Sequence, residues 1–187
     1  KYSIDCVCGF FYGPIEIEAM GGQTVYMPDG PPNSSEPVFK TVKDINNFVS
    51  PDIKQSKRLQ EVLKTISILK DRVGGQIPIL GVIISPFSQP VMQMGFDKYL
   101  ELMYENNELM ELLLKKNIEF SVEWANAQLA AGATAMVYFD PVSSGSMIPR
   151  DKFLQYGYPA AKKTVSRING PSVIHFASGK SSDLVNE

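Results

Sequence analysis

"IPILGVIIS", residues 77–85, decides the fold. A strand with one face in water alternates apolar and polar residues. This run is aliphatic almost throughout, as in a parallel strand covered on both sides. Working outward, TAMVYFD at 134–140 and PSVIHFA at 171–177 read as further strands of the same kind. Helical patterns separate them: residues 96–116, then 118–131 ended by Gly132, then 149–169 with an awkward Pro159 inside. Upstream, residues 50–73 open with Ser50 and Pro51 as cap and first-turn residues. They set Ile53, Leu59, Val62, Leu63, Ile66 and Leu69 on one face and stop at Gly74 and Gly75. Before them YSIDCVCGFF reads as a strand, PIEIEAMG as a short helix and QTVYM as a second extended piece, followed by the loop PDGPPNSSEP. Strand, helix, strand, helix, strand predicts a parallel α/β protein with helical crossovers.

An open doubly wound sheet and a closed barrel both satisfy that rhythm. Neither G-x-G-x-x-G nor G-x-x-x-x-G-K-[ST] follows any strand, which counts against a dinucleotide or nucleoside-triphosphate site. In a barrel, polar residues gather where strands end. Three such clusters are present: Ser85-Pro86-Phe87-Ser88, Asp140-Pro141-Val142-Ser143-Ser144, and His175-Phe176-Ala177-Ser178-Gly179. If they converge on one mouth, Ser85, Phe87, Asp140, Ser144 and Ser178 line a substrate opening. Asp140 then has two readings, a carboxylate capping the loop backbone or a group that orients a ligand or a histidine. His175, the one histidine, is either a hydrogen-bonded core residue or a metal ligand.

With 187 residues and 44% hydrophobic content the chain can bury a sizeable core, and its length predicts one domain over 1–187. A net charge of -2 with no block of like charge predicts neither a nucleic-acid footprint nor a membrane-surface patch. No apolar stretch is long enough to span a bilayer and KYSIDCVCGF lacks the layout of a signal peptide, so a cytoplasmic location is expected. Cys6 and Cys8 lie two apart on a strand, on one face, where a disulfide would be strained; they read as free buried thiols. Met92, Met94, Met103 and Met110, and Trp124, read as core packing.

Three segments together resemble the uroporphyrinogen decarboxylase superfamily. SPFSQPVMQMG is similar to its G-P-F-[ST]-x-x-x-x-x-x-G segment, AGATAMVYFDPVSS to its A-G-A-D-x-[IV]-x-x-x-D-P-x-[AS]-S segment, and PIEIEAMGGQTVYM to its early V-E-A-E-A-[LM]-G segment, in the family's order. The resemblance implies a (β/α)8 TIM-barrel type fold. A closed barrel takes about 250 residues, so a partial barrel is expected, beginning after the family's N-terminal region and ending just past its sixth strand.

That superfamily contains tetrapyrrole decarboxylases and corrinoid-dependent methyltransferases, some of which methylate coenzyme M. VIHFASG lies where the methyltransferase branch carries I-L-H-x-C-G, so His175 matches the family's metal-ligating histidine and Ala177 stands at the position of its first cysteine. Glu16 matches V-E-A-E-A. The decarboxylase branch fits less well, since Tyr12 falls where its essential aspartate belongs and its arginine-rich substrate motif is missing from these residues. The resemblance thus implies a methyltransferase working with a corrinoid protein and a small methyl acceptor or donor, with zinc, bound by His175, activating a thiol such as coenzyme M. A decarboxylase and a non-catalytic binding or assembly module are the alternatives.

Overall fold

The structure is a computed structural model that describes residues 5–9, 11–73 and 75–182. Along the chain the elements are β1 (Val7–Cys8), α1 (Ile15–Ala19), β2 (Thr24–Val25), β3 (Asn33–Ser34), α2 (Val42–Asn47), α3 (Lys57–Val73), β4 (Ile79–Ile84), α4 (Gln89–Met94), α5 (Phe96–Glu105), α6 (Asn107–Ala131), β5 (Ala135–Phe139), α7 (Arg150–Lys152), a π-helical turn (Phe153–Gly157), α8 (Tyr158–Val165) and β6 (Ser172–His175). The sheet runs β1-β4-β5-β6, every pair parallel, which is the expected α/β architecture. The aliphatic run forms its centre as β4. QTVYM does not join this sheet; β2 pairs antiparallel with β3, a two-residue strand inside the stretch read as pure loop.

Register separates the sheet into two faces. Gly81 and Ile83 align with Met136 and Tyr138, and these point toward α6, packing with Phe120, Trp124 and Ala125. Burying each large side chain there contributes about 1.5–3 kcal/mol before the entropic cost of ordering it. Leu80, Val82 and Ile84 align with Ala135, Val137 and Phe139, and those with Val173 and His175, on the opposite, inner face. β5 records the asymmetry, with Met136 and Tyr138 fully buried and their alternates only half-buried.

Beyond Leu80, β1 no longer lines the edge of β4, and side chains take its place. The Gln128 carboxamide accepts from Val82 N (3.0 Å) and donates to Val82 O (2.9 Å), while Glu16 Oε1 accepts from Ile84 N at 3.0 Å. Every buried backbone group needs a partner, so α1 and α6 supply what a longer strand would. Gly81 makes room, because a Cβ there would lie 2.8 Å from Gln128 Oε1 and 2.6 Å from Met136 Sδ.

Helix boundaries differ from expectation at several points: α3 begins at Lys57 and not at Ser50 and Pro51, and the stretch read as one helix over 149–169 is α7, a π turn and α8 ending at Val165. The break between the two helices falls at Asn106, whose side chain accepts from Leu109 N at 3.0 Å as an N-cap, not at Asn117. Asn117 sits inside a 25-residue helix, fully buried, in a reciprocal pair with Gln93 (3.0 Å each way). Pro159 is accommodated at the start of α8, directly after the π turn. Cys6 and Cys8 are free, as read, but exposed rather than buried. Met94, Met103, Met110 and Trp124 are core residues.

Candidate functional site at the strand ends

Ile84, Phe139 and His175 form the last register layer of the inner face. His175 is exposed, and its ring lies 5.4 Å from the Phe139 ring at 43°, with Phe11 edge-on to Phe139 at 6.3 Å. After the strand the chain turns tightly: Gly179 N donates to Phe176 O at 3.2 Å, and Ala177 takes a φ of 54°. A left-handed alanine costs about 1–2 kcal/mol. That conformation accompanies a hydrogen bond from Ala177 N to His175 Nδ1 at 2.9 Å. Ser178, in the same turn, is exposed.

Asp140 is the next residue after the inner-facing Phe139 and turns to the other face. Its backbone N donates to His175 O at 2.9 Å, but its side chain is 1% exposed on the side of Tyr138. There Oδ1 accepts from Ser85 Oγ and Ser88 Oγ, both at 2.7 Å; Ser88 Oγ in turn accepts from Val142 N at 3.1 Å. Burial holds the Asp140 carboxyl above its ordinary range, while the hydroxyls of Ser143, Ser85 and Ser88 and the Ser143 N–H pull it back. Oδ2 and the hydroxyls of Ser143 and Ser144 make no geometrically formed hydrogen bond. Phe87 is a core residue, its ring edge-on to Tyr99 at 5.8 Å and its carbonyl accepting from Tyr99 Oη at 2.7 Å. Ser144 is buried beneath Gly179, where any Cβ would overlap it.

Glu16 lies in a third setting. It is fully buried, with Oε1 on Ile84 N and Oε2 accepting from Gln89 Nε2 at 2.6 Å; the same Nε2 stands 3.3 Å from Ser121 Oγ. Burial pushes its pKa up to about 7, opposed by the Ile84 and Gln89 donors and by the Trp124 indole, whose N–H faces the carboxyl without forming a full hydrogen bond.

The structure thus joins Ser85 and Asp140, with Ser88, in one buried cluster, and separates them from His175. The expected common cavity of Glu16, Asp140 and His175 is not formed: the two carboxyls serve buried networks, and His175 faces the other side of the sheet. Adjacent strand residues alternate sides, which is why Asp140 and the inner-face layer diverge. Gln89 and Gln128 were not anticipated. The available signal was polar residues on the buried stripe of α6, where Asn117, Ser121 and Gln128 fall among Phe120, Trp124 and Ala125.

The fit of zinc can be judged from the side chains. Among the described residues no three His, Cys, Asp or Glu groups converge on a metal-sized point. A metal-bound imidazole nearly always donates from its other nitrogen, whereas His175 Nδ1 accepts. The residues present therefore do not fit a zinc ion at His175. Two surface grooves, of about 640 Å³ between α6 and α8 and about 400 Å³ between α2 and α5, lie on the helical exterior and contain none of the sequence-predicted site residues. No helix among the described residues is long and apolar enough to cross a membrane.

Comparison with known proteins identifies the family and the fold. The family model described as uroporphyrinogen decarboxylase (URO-D) matches residues 1–187. Similar proteins include a methylcobamide:CoM methyltransferase of Methanosarcina barkeri, 27% identical over 74% of this chain and 41% of its own length. A uroporphyrinogen decarboxylase of Carboxydothermus hydrogenoformans is 30% identical over 98% of this chain and 53% of its own. Among solved structures, a methyltransferase from Methanosarcina mazei superposes with a TM-score of 0.85 at 25% identity, over 91% of this chain and 51% of that one. The chain spans about half the length of the curated relatives it matches.

Proposed function

The chain belongs to the uroporphyrinogen decarboxylase family, and from that premise we propose that it is a corrinoid-dependent methyltransferase. It moves a methyl group between a cobalamin-type cofactor on a partner protein and a small molecule held at the carboxyl ends of the strands. The observation that carries the reading is the His175 ring, fixed on the inner face at the strand end, in a chain similar to methylcobamide:CoM methyltransferases. The partner's corrinoid would supply or accept the methyl group by displacement at the methyl carbon, and this chain's residues would hold the small molecule in place for it. Such a displacement needs placement above all. His175 and Phe139 offer the small molecule a polar and an apolar contact. Glu16 and Asp140 act at one remove, holding Ile84 and the turn after Ser85 in place.

The test is anaerobic incubation of the full-length protein with methylcobalamin and coenzyme M, following loss of the methyl–cobalt absorption. Turnover with this thiol, or formation of methyl–cobalt from cobalt(I) and a methyl donor, is expected. Carbon dioxide release from uroporphyrinogen without methyl transfer would establish the decarboxylase reading, which the decarboxylase relatives favour. Inertness in both assays would leave the binding-module reading, which Ala177 at the cysteine position favours.

A further inference from the structure

A neutral imidazole carries one N–H and one bare nitrogen, and its partners decide which is which. At His175 the choice is made by the backbone. Ala177 N donates to Nδ1 at 2.9 Å, so Nδ1 is the bare nitrogen and the proton resides on Nε2. The contact is built into the turn: a non-glycine residue is held at φ 54° beside it, Gly179 N closes the loop onto Phe176 O, and the Phe139 ring packs against the imidazole. Among the described residues no carboxylate bonds Nδ1, and the Asp140 side chain accepts from Ser85 and Ser88 instead. To bind a cation through Nε2 the ring would have to move its proton to Nδ1. There it would confront the Ala177 N–H, donor against donor.

We propose that His175 is a substrate-positioning residue that acts as a neutral hydrogen-bond donor from Nε2, offered to an oxygen or anionic atom of the small substrate, and not as a ligand to a divalent metal ion. The substrate half of this inference rests on the methyltransferase reading; the tautomer half stands without it. A position where the family carries a metal-binding histidine is thus read here as a donor site, with alanine two residues on supplying no thiolate. Its ligand class is a small molecule with a carboxylate, sulfonate or ether oxygen.

Long-range ¹H–¹⁵N correlation on the tag-free full-length protein reads this ring, its signals assigned by their loss in His175→Gln. The expected spectrum at neutral ring charge has the proton on Nε2. A proton on Nδ1, or an even mixture, overturns the proposal. Calorimetric titration with zinc chloride gives the second reading, with no difference expected between wild type and His175→Gln. An affinity loss of about tenfold or more on that substitution, the scale of a lost ligand or ligand partner, also overturns it. Both measurements are made without corrinoid, so failure of methyl transfer leaves them interpretable. Where methyl transfer is active, His175→Ala should raise KM for the small substrate about tenfold with little change in kcat, the size of one lost hydrogen bond. His175→Gln, which keeps an N–H donor, should recover most of it. Equal impairment of both variants refutes the donor role.

Discussion

Glu16 should make the protein less stable as pH rises through neutrality, and Glu16→Gln should abolish that loss. The carboxyl is fully buried and titrates at about 7 when folded, against an ordinary value of 4.5. Below 4.5 it is protonated in both the folded and the unfolded chain and makes no difference. Between 4.5 and 7 the unfolded chain ionises while the folded one keeps its proton, so stability falls with pH; above 7 both are ionised and the loss is complete. At 1.36 kcal/mol per pKa unit the total is about 3 kcal/mol. Glutamine keeps an oxygen for Ile84 N, and Gln89, whose Oε1 has no partner, can turn its amide to accept from the new NH₂ group. The assay is urea unfolding of wild type and Glu16→Gln at intervals from pH 4 to 9. Burial shifts the Asp140 carboxyl in the same direction, so the difference between the two proteins, not the wild-type profile alone, reports Glu16. Wild type should lose about 3 kcal/mol relative to the variant across pH 4.5–7.5. Parallel profiles, or wild type gaining stability relative to the variant as pH rises, would refute the reasoning.

Two further outcomes follow from the packing and the exposed thiols. Gly81→Ala forces a Cβ into Met136 and Gln128; it should destabilise the fold by about 2 kcal/mol, seen as a lowered urea midpoint, with Gln128→Leu costing a similar amount by stranding Val82 N and O. Cys6 and Cys8 should both react with a thiol reagent without denaturant, Cys8 more slowly at pH 8 because partial burial and the neighbouring Cys6 raise its pKa.

The parallel sheet was readable because β4 is buried on both faces and its composition says so. Asn33–Ser34 was not: two residues are too short for any period to register, whereas its partner Thr24–Val25 fell within the extended stretch QTVYM. Asn106 and Asn117 look alike in sequence, and what distinguishes them is tertiary. One meets its own helix's N–H at Leu109, the other meets Gln93 across the core. The same limit governs the site. That polar residues follow each strand is visible locally. Whether Asp140 and His175 share a face depends on the inter-strand register, and Phe139 pairs with His175, leaving Asp140 out of phase. Glu16 was recognised by its family motif, but its service to the edge of β4 depends on β1 ending early, which no local pattern encodes.

An amide and a carboxyl standing in for a strand also affect engineering. The slot beside Val82 and Ile84 is already filled from α6 and α1, so no strand is needed there to pair with their backbone groups. Grafts at that edge should therefore keep Phe11, which packs on Phe139, and Tyr12, which packs in the core and donates to Glu18.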